Sequence, residues 1–253
     1  MLEAMKIARF SINDGARFGV LNEETGRYHL LNADPLYSGF EQSGQVIAPS
    51  EAHFVAPMLP RSKVIGFQSA FSESDLTESG FGAYFKPNTS VVGTDVPVSM
   101  PNWAKGQGLS VTPQLGLVVS RLCKDVPESM AADVIFGYLL VTDVSVPELA
   151  AQDPVQAFGF DTSCPSGPIL ETGLPSGEFA FAFDAGENGY DGVIHFDLQS
   201  LARRIAFASQ VATLLPGDII LTGALGEKLR VQDGDEIVFE NTALGVLRNP
   251  VLK

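Results

Sequence analysis

The sequence predicts a mainly β protein with some α structure, and three observations carry this. Short runs of β-branched and aromatic residues recur between turn signals along the whole chain. Only one stretch, Leu198–Leu214, has sustained helical spacing. No segment repeats with a period of ~20–50 residues, which sets aside solenoid and propeller architectures.

The elements follow in order. Lys6–Phe10 and Phe18–Leu21 read as strands joined by the turn Asn13-Asp14-Gly15, since Asn, Asp and Gly suit tight hairpins. Glu24-Thr25-Gly26 turns the chain into Tyr28–Leu31, giving a meander of paired strands. Pro57, Pro60 and the polar Arg61-Ser62 mark a boundary. The expected organisation is a small β-rich N-terminal domain over residues 1–58 and a larger one over 59–253. Lys63–Phe67 is a short buried-type strand, and residues 72–79 are polar and turn-rich, a short helix or a loop. Leu115–Val119 is a continuous apolar run, which suits a strand buried on both faces. Residues 131–144 are apolar and rich in β-branched side chains as far as Thr142-Asp143-Val144. Asn188-Gly189 reads as a hairpin turn. Leu198, Leu201, Ile205, Val211 and Leu215 predict a helix that Pro216-Gly217-Asp218 stops before a strand at Ile219–Leu221. Asp233-Gly234-Asp235 is a tight turn, and Glu236–Glu240 alternates.

Composition narrows the function. A chain of 253 residues, 45% hydrophobic, can bury a sizeable core. It has no apolar run of ~18 residues to cross a membrane, and its N-terminus lacks the pattern of a secretory signal. Cys123 and Cys164 build no disulfide framework, so the expected location is cytoplasmic. A net charge of −14 disfavours nucleic acid. His29, His53 and His195 show no catalytic spacing.

Several phrases occur in one order: Met5–Phe10, Phe85-Lys86-Pro87, Gly93, Phe160-Asp161-Thr162, Cys164-Pro165, Gly167-Pro168, residues 216–223, Asp233-Gly234-Asp235 and Gly245–Val251. Together they resemble the fumarylacetoacetate hydrolase superfamily over nearly the whole chain. The resemblance implies a mixed β-sandwich or β-roll behind a small N-terminal domain, usually in homodimers or higher assemblies. It implies cleavage or rearrangement of carbon–carbon bonds in small keto acids. It also implies Mg²⁺ or Mn²⁺ held by two glutamates, E-x-E on one strand, and a later aspartate. Alternate residues of a strand share a face, and a hard cation between such carboxylates polarises a carbonyl.

Against that pattern the two glutamates are replaced by Thr112 and Gln114, and only Asp143 remains of the ligand set. The expected general-base histidine is Ser74, the arginine is Pro147, the lysine is Phe158, and a threonine is Ala224. A full metal site is not expected, and neither is any other cofactor; Mg²⁺ or Mn²⁺ with displaced ligands is the alternative. The catalytic candidates are Lys86, Asp143, Ser74 and Asp75. Lys86 would anchor a substrate carboxylate or be structural. Asp143 would be a lone base, or a remnant bonded to backbone or to the Gln114 amide. Ser74 and Asp75, with Glu73 and Glu78, would replace the lost base or form a solvated loop. The expected pocket comprises Phe71, Thr112, Gln114, Pro147, Phe158, Thr222 and Gly223. The expected function is a ligand-binding or assembly role, with metal-dependent cleavage lost and a small acid or carbonyl compound as ligand. The alternative is an active hydrolase, decarboxylase, isomerase or cyclase on such a compound, either metal-independent or with displaced metal ligands.

Overall fold

The computed structural model describes residues 4–12, 15–71, 81–104, 106 and 108–253. The chain is mainly β. Its N-terminal strands are β1 (Lys6–Ile12), β2 (Gly15–Asn22), β3 (Arg27–Leu31), β4 (Gln42–Ile47) and β5 (His53–Val55), with the short helix α1 (Pro35–Ser38) before β4. Then come β6 (Lys63–Phe67), β7 (Ala83–Pro87), β8 (Val91–Val92), β9 (Val98–Ser99), β10 (Leu109–Val119) and β11 (Ile135–Ser145). Helix α2 (Pro154–Phe158) leads to β12 (Cys164–Thr172), β13 (Gly177–Ala185) and β14 (Asn188–Phe196). Helix α3 (Leu198–Val211) precedes β15 (Ile219–Leu221), β16 (Leu229–Val231), β17 (Glu236–Asn241) and β18 (Gly245–Leu252).

Among the described residues the strands form two sheets. The larger runs β4-β3-β2-β1-β12-β11-β10-β15-β6-β7, and the smaller runs β14-β13-β17-β18-β9. The N-terminal meander enters the larger sheet where β1 pairs antiparallel with β12, Ile7 opposite Leu170. The main core lies between sheets and helix, with Leu115, Leu117, Phe183, Phe239, Leu201 and Ile205 all buried in it.

Strand β10 organises the centre. All eleven of its residues are buried. Along one edge it pairs continuously with β11, Thr112 opposite Asp143. Along the other edge its partners are split: β16 pairs with Leu109–Val111 and β15 with Gly116–Val118. Between them the loop after β15 takes over. Leu225 N donates to Pro113 O (2.9 Å), Thr222 N donates to Leu115 O (2.9 Å), and the Thr222 hydroxyl accepts from Leu115 N (3.2 Å). Proline has no N–H to give a ladder, and Pro113 falls in this interruption, where none is needed.

Three sequence expectations shift. The strand expected at Leu115–Val119 begins six residues earlier, at Leu109. The helix ends at Val211, and Leu214 instead bridges Cys123. Its start is fixed by Asp197, whose carboxylate caps the N–H groups of Gln199 and Ser200. The hairpin turn lies at Gly186-Glu187, since Ala185 pairs with Asn188; Gly186 takes the positive φ of +61° that such a turn requires. Strands Lys63–Phe67 and Ile219–Leu221 fall where expected.

Candidate functional site

Side chains two apart on a strand share a face. Thr112 and Gln114 of β10, and Asp143 and Ser145 of β11, therefore point the same way. They line a cavity of about 260 Å³, closed by Phe67, Gln68, Tyr84, Pro147, Ala150, Phe158, Ala224 and Lys228.

The Asp143 carboxylate is already engaged by the protein. Lys86 Nζ lies 2.9 Å from its Oδ1. The Tyr84 hydroxyl donates to its Oδ2 at 2.6 Å, and Gln114 Nε2 donates to the same oxygen at 3.2 Å. Gln114 is held in turn, because its Oε1 accepts from Gly223 N at 3.0 Å. Lys86 is fully buried and donates to the carbonyls of Phe158 (2.8 Å), Val144 (2.9 Å) and Ser163 (3.0 Å), with Ser163 Oγ at 3.1 Å. These oxygens account for the donors of the ammonium, which leaves Oδ1 in ionic contact but without an aligned hydrogen bond. The Tyr84 ring stacks on Phe158, with centroids 4.0 Å apart. Burial first, and then the Asp143 charge, hold the Tyr84 phenol protonated well above its usual range. Burial also pushes the neighbouring Cys164 thiol up to about 12, so it is inert at neutral pH.

The expected residues separate into two groups. Thr112, Gln114, Asp143, Pro147 and Phe158 line the cavity. Phe71, Thr222, Gly223 and Lys86 are not part of its lining. The Phe71 ring faces Phe196 and the Arg204 guanidinium, and its N–H donates to Ala224 O. Thr222 and Gly223 fix β10 and Gln114. Lys86 is turned inward, so its geometry supports a structural counter-ion and not an anchor for a substrate carboxylate. Asp143 does bond the Gln114 amide, as one sequence reading expected. Ser74 and Asp75, with Glu73 and Glu78, lie outside the described residues. Sequence reasoning missed Tyr84, Ser145, Gln68 and Lys228. The first two had a signal: each lies two residues from a candidate on the same strand, Tyr84 from Lys86 and Ser145 from Asp143.

This donor set does not suit a divalent cation. Such an ion needs oxygen ligands carrying net negative charge. Among the described residues that line the cavity the only carboxylate, that of Asp143, is matched by an ammonium 2.9 Å away, and its other oxygen already accepts two hydrogen bonds. Among the described residues no group of three or more His, Cys, Asp or Glu could hold a metal.

The profile of the fumarylacetoacetate (FAA) hydrolase C-terminal family matches residues 67–252. The chain belongs to this family. A second profile, the Rv2993c-like N-terminal family, matches residues 5–57. Protein Rv2993c of Mycobacterium tuberculosis is 28% identical over 98% of both chains. A homoprotocatechuate catabolism bifunctional isomerase/decarboxylase of Escherichia coli is 32% identical over 79% of this chain and 47% of its own length. The crystal structure of 5-carboxymethyl-2-hydroxymuconate delta-isomerase from Mycobacterium smegmatis superposes with a TM-score of 0.85 at 28% identity, covering 98% of this chain and 99% of that one. The fumarylacetoacetate hydrolase fold is thus present from end to end. No helix among the described residues is long and apolar enough to cross a membrane.

Proposed function

We propose that this member of the fumarylacetoacetate hydrolase family binds a small carbonyl-bearing acid without a divalent cation, and that it has lost metal-dependent carbon–carbon bond cleavage. The observation that supports the reading is the state of Asp143. Its charge is compensated by Lys86 and its Oδ2 is filled by Tyr84 and Gln114. A lysine ammonium thus does inside the protein what a cation would do for this carboxylate. The cavity, about 260 Å³, lies below the ~300–1,000 Å³ of drug-sized sites and suits a compact ligand. Calorimetric titration with Mg²⁺ and Mn²⁺, alone and with oxaloacetate or acetopyruvate, tests it. No micromolar metal binding and no metal-dependent turnover are expected; either one sinks the reading.

A second reading, metal-independent tautomerisation or isomerisation of the same ligand, is favoured by one contact. Tyr84 lines the cavity and donates its proton to Asp143 at 2.6 Å, a hydroxyl–carboxylate pair of the kind that relays protons. The isomerase names of the M. smegmatis and E. coli relatives point the same way. Decay of enol oxaloacetate in EDTA, compared between the wild type and Tyr84→Phe, decides it. A homodimer rests on the family resemblance alone, and light scattering on the eluted protein should give twice the 27.0 kDa of one chain.

A further inference from the structure

We propose that Lys228 turns this cavity into an anion site and is the residue that selects a carboxylate. This rests on the ligand-binding reading above and names the group that reads the ligand's charge.

The position of Lys228 follows from strand pairing. In the β16–β10 ladder Val231 lies opposite Leu109, Arg230 opposite Ser110 and Leu229 opposite Val111. The ladder ends there, so Lys228, the residue just before Leu229, leaves the strand next to Thr112, the first position where the family resemblance places a metal-binding glutamate, and the two residues line the same cavity. The segment before it is tied down, because the Tyr190 hydroxyl donates to Glu227 O at 2.8 Å. Lys228 is exposed and lines the cavity together with Thr112, Gln114 and Asp143.

The charge balance gives that position its consequence. Asp143 is compensated from behind by Lys86. Glu148, the acid that could compete for Lys228, is bound by Arg230 at 2.5 Å. Its carboxyl is held below the usual range, first by the Arg230 hydrogen bond, with a smaller contribution from the Lys228 charge. Lys228 itself makes no ion pair within 4.0 Å among the described residues. Among the described residues the cavity therefore presents a ligand with the Lys228 ammonium outside any ion pair, in a protein whose net charge is −14. Such a local reversal of sign concentrates small anions where the rest of the surface repels them. A carboxylate at Lys228 leaves the ligand's apolar body against Pro147, Phe67 and the Tyr84–Phe158 stack. The family's usual site offers anions to a cation; this one offers a cation to an anion.

Equilibrium binding of acetopyruvate and of its uncharged methyl ester, measured by calorimetry on the full chain, tests the proposal. The wild type should bind the acid more tightly than the ester. Lys228→Met should weaken the acid roughly tenfold, or ~1.4 kcal/mol, close to the lower end of the ~1.5–3 kcal/mol of a hydrogen bond to a charged group. It should leave the ester unchanged and the melting temperature close to wild type, since Lys228 is exposed. Lys228→Arg should retain most of the acid affinity. If Lys228→Met binds the acid as the wild type does, the assignment of Lys228 is overturned while the pocket reading stands. If the wild type binds neither acid nor ester, both are overturned.

Discussion

Lys86→Met is the perturbation on which the account of Asp143 depends. The substitution keeps the unbranched stem of the side chain, one atom shorter, and removes its charge. It leaves Asp143, 6% exposed, with no cation beside Oδ1. Breaking a buried ion pair from one side costs ~3–5 kcal/mol, because the remaining charge is uncompensated. The carbonyls of Val144, Phe158 and Ser163 also lose their shared donor. Each unsatisfied group costs ~1–3 kcal/mol, but these losses overlap and water can enter from the cavity, so ~1 kcal/mol in all is a fair addition. The total of ~4–6 kcal/mol is a large part of the ~5–15 kcal/mol that stabilises a domain. At ~2–4 °C per kcal/mol for a chain of this size, the melting temperature should fall by roughly 8–24 °C. Urea denaturation should show the same loss in midpoint at an unchanged slope. The decisive comparison is Lys86→Met/Asp143→Asn. Removing the stranded charge should make this double variant more stable than Lys86→Met alone, a favourable coupling of the kind such cycles detect. A cost below ~1 kcal/mol for Lys86→Met, or no rescue by Asp143→Asn, refutes the claim that the ammonium compensates this carboxylate.

Other outcomes follow from the same geometry. Thr112→Glu/Gln114→Glu replaces an amide that donates to Asp143 with a carboxylate that repels it; the variant should lose about 2–4 kcal/mol in EDTA and regain it in millimolar MnCl₂, where metal binding to the folded state adds stability. Wild-type melting should ignore MnCl₂, and an EDTA-insensitive double variant would mean that no site had formed. Gly223→Ala should cost ~2 kcal/mol or more in denaturant midpoint, because Gly223 has φ +88° and a Cβ there would run into Ser69 O. In alkali the phenols of Tyr28 and Tyr190, raised to about 12 by burial, and those of Tyr84 and Tyr138, raised further, ionise less readily folded than unfolded. Their contribution is complete below the unfolded pKa of ~10 and is lost as pH rises through it toward the folded values. Near-ultraviolet phenolate absorbance should therefore rise together with loss of structure; four phenols titrating at ~10 in the folded chain would refute this.

How much of this was legible in the sequence varied with the range of the interaction that decides it. Lys63–Phe67 and Ile219–Leu221 are short apolar strands in the middle of a sheet, and burial on both faces writes itself directly into composition. The first half of β10 has the same burial but carries Ser110, Thr112, Pro113 and Gln114. Thr112 and Gln114 face a polar cavity, Pro113 falls in an interrupted ladder, and Ser110 is one more polar side chain among them, so local pattern reads the segment as loop. Leu214 closes the stretch read as helix yet belongs to a bridge with Cys123 from 91 positions earlier, a pairing that no local window contains. The expectation that Thr112 and Gln114 stand where the family carries its ligands rests on order and spacing alone. The surroundings of these residues could not be read that way. Lys86 is brought to Asp143 by tertiary packing of β7, and Lys228 reaches the cavity beside Thr112 only because β16 pairs with the start of β10.

The interruption along the outer edge of β10 has a consequence for how the protein could change over time. From Thr112 to Leu115 that edge is held by a loop and not by a neighbouring strand. Side chains there can be exchanged without disturbing any strand-to-strand hydrogen bond on that side, and even a proline is accommodated. The scaffold thus contains a replaceable panel: lineages can rewrite the reaction at this window while inheriting the frame intact. A fold with such a panel can shed one chemistry and take up another through steps that each leave it folded.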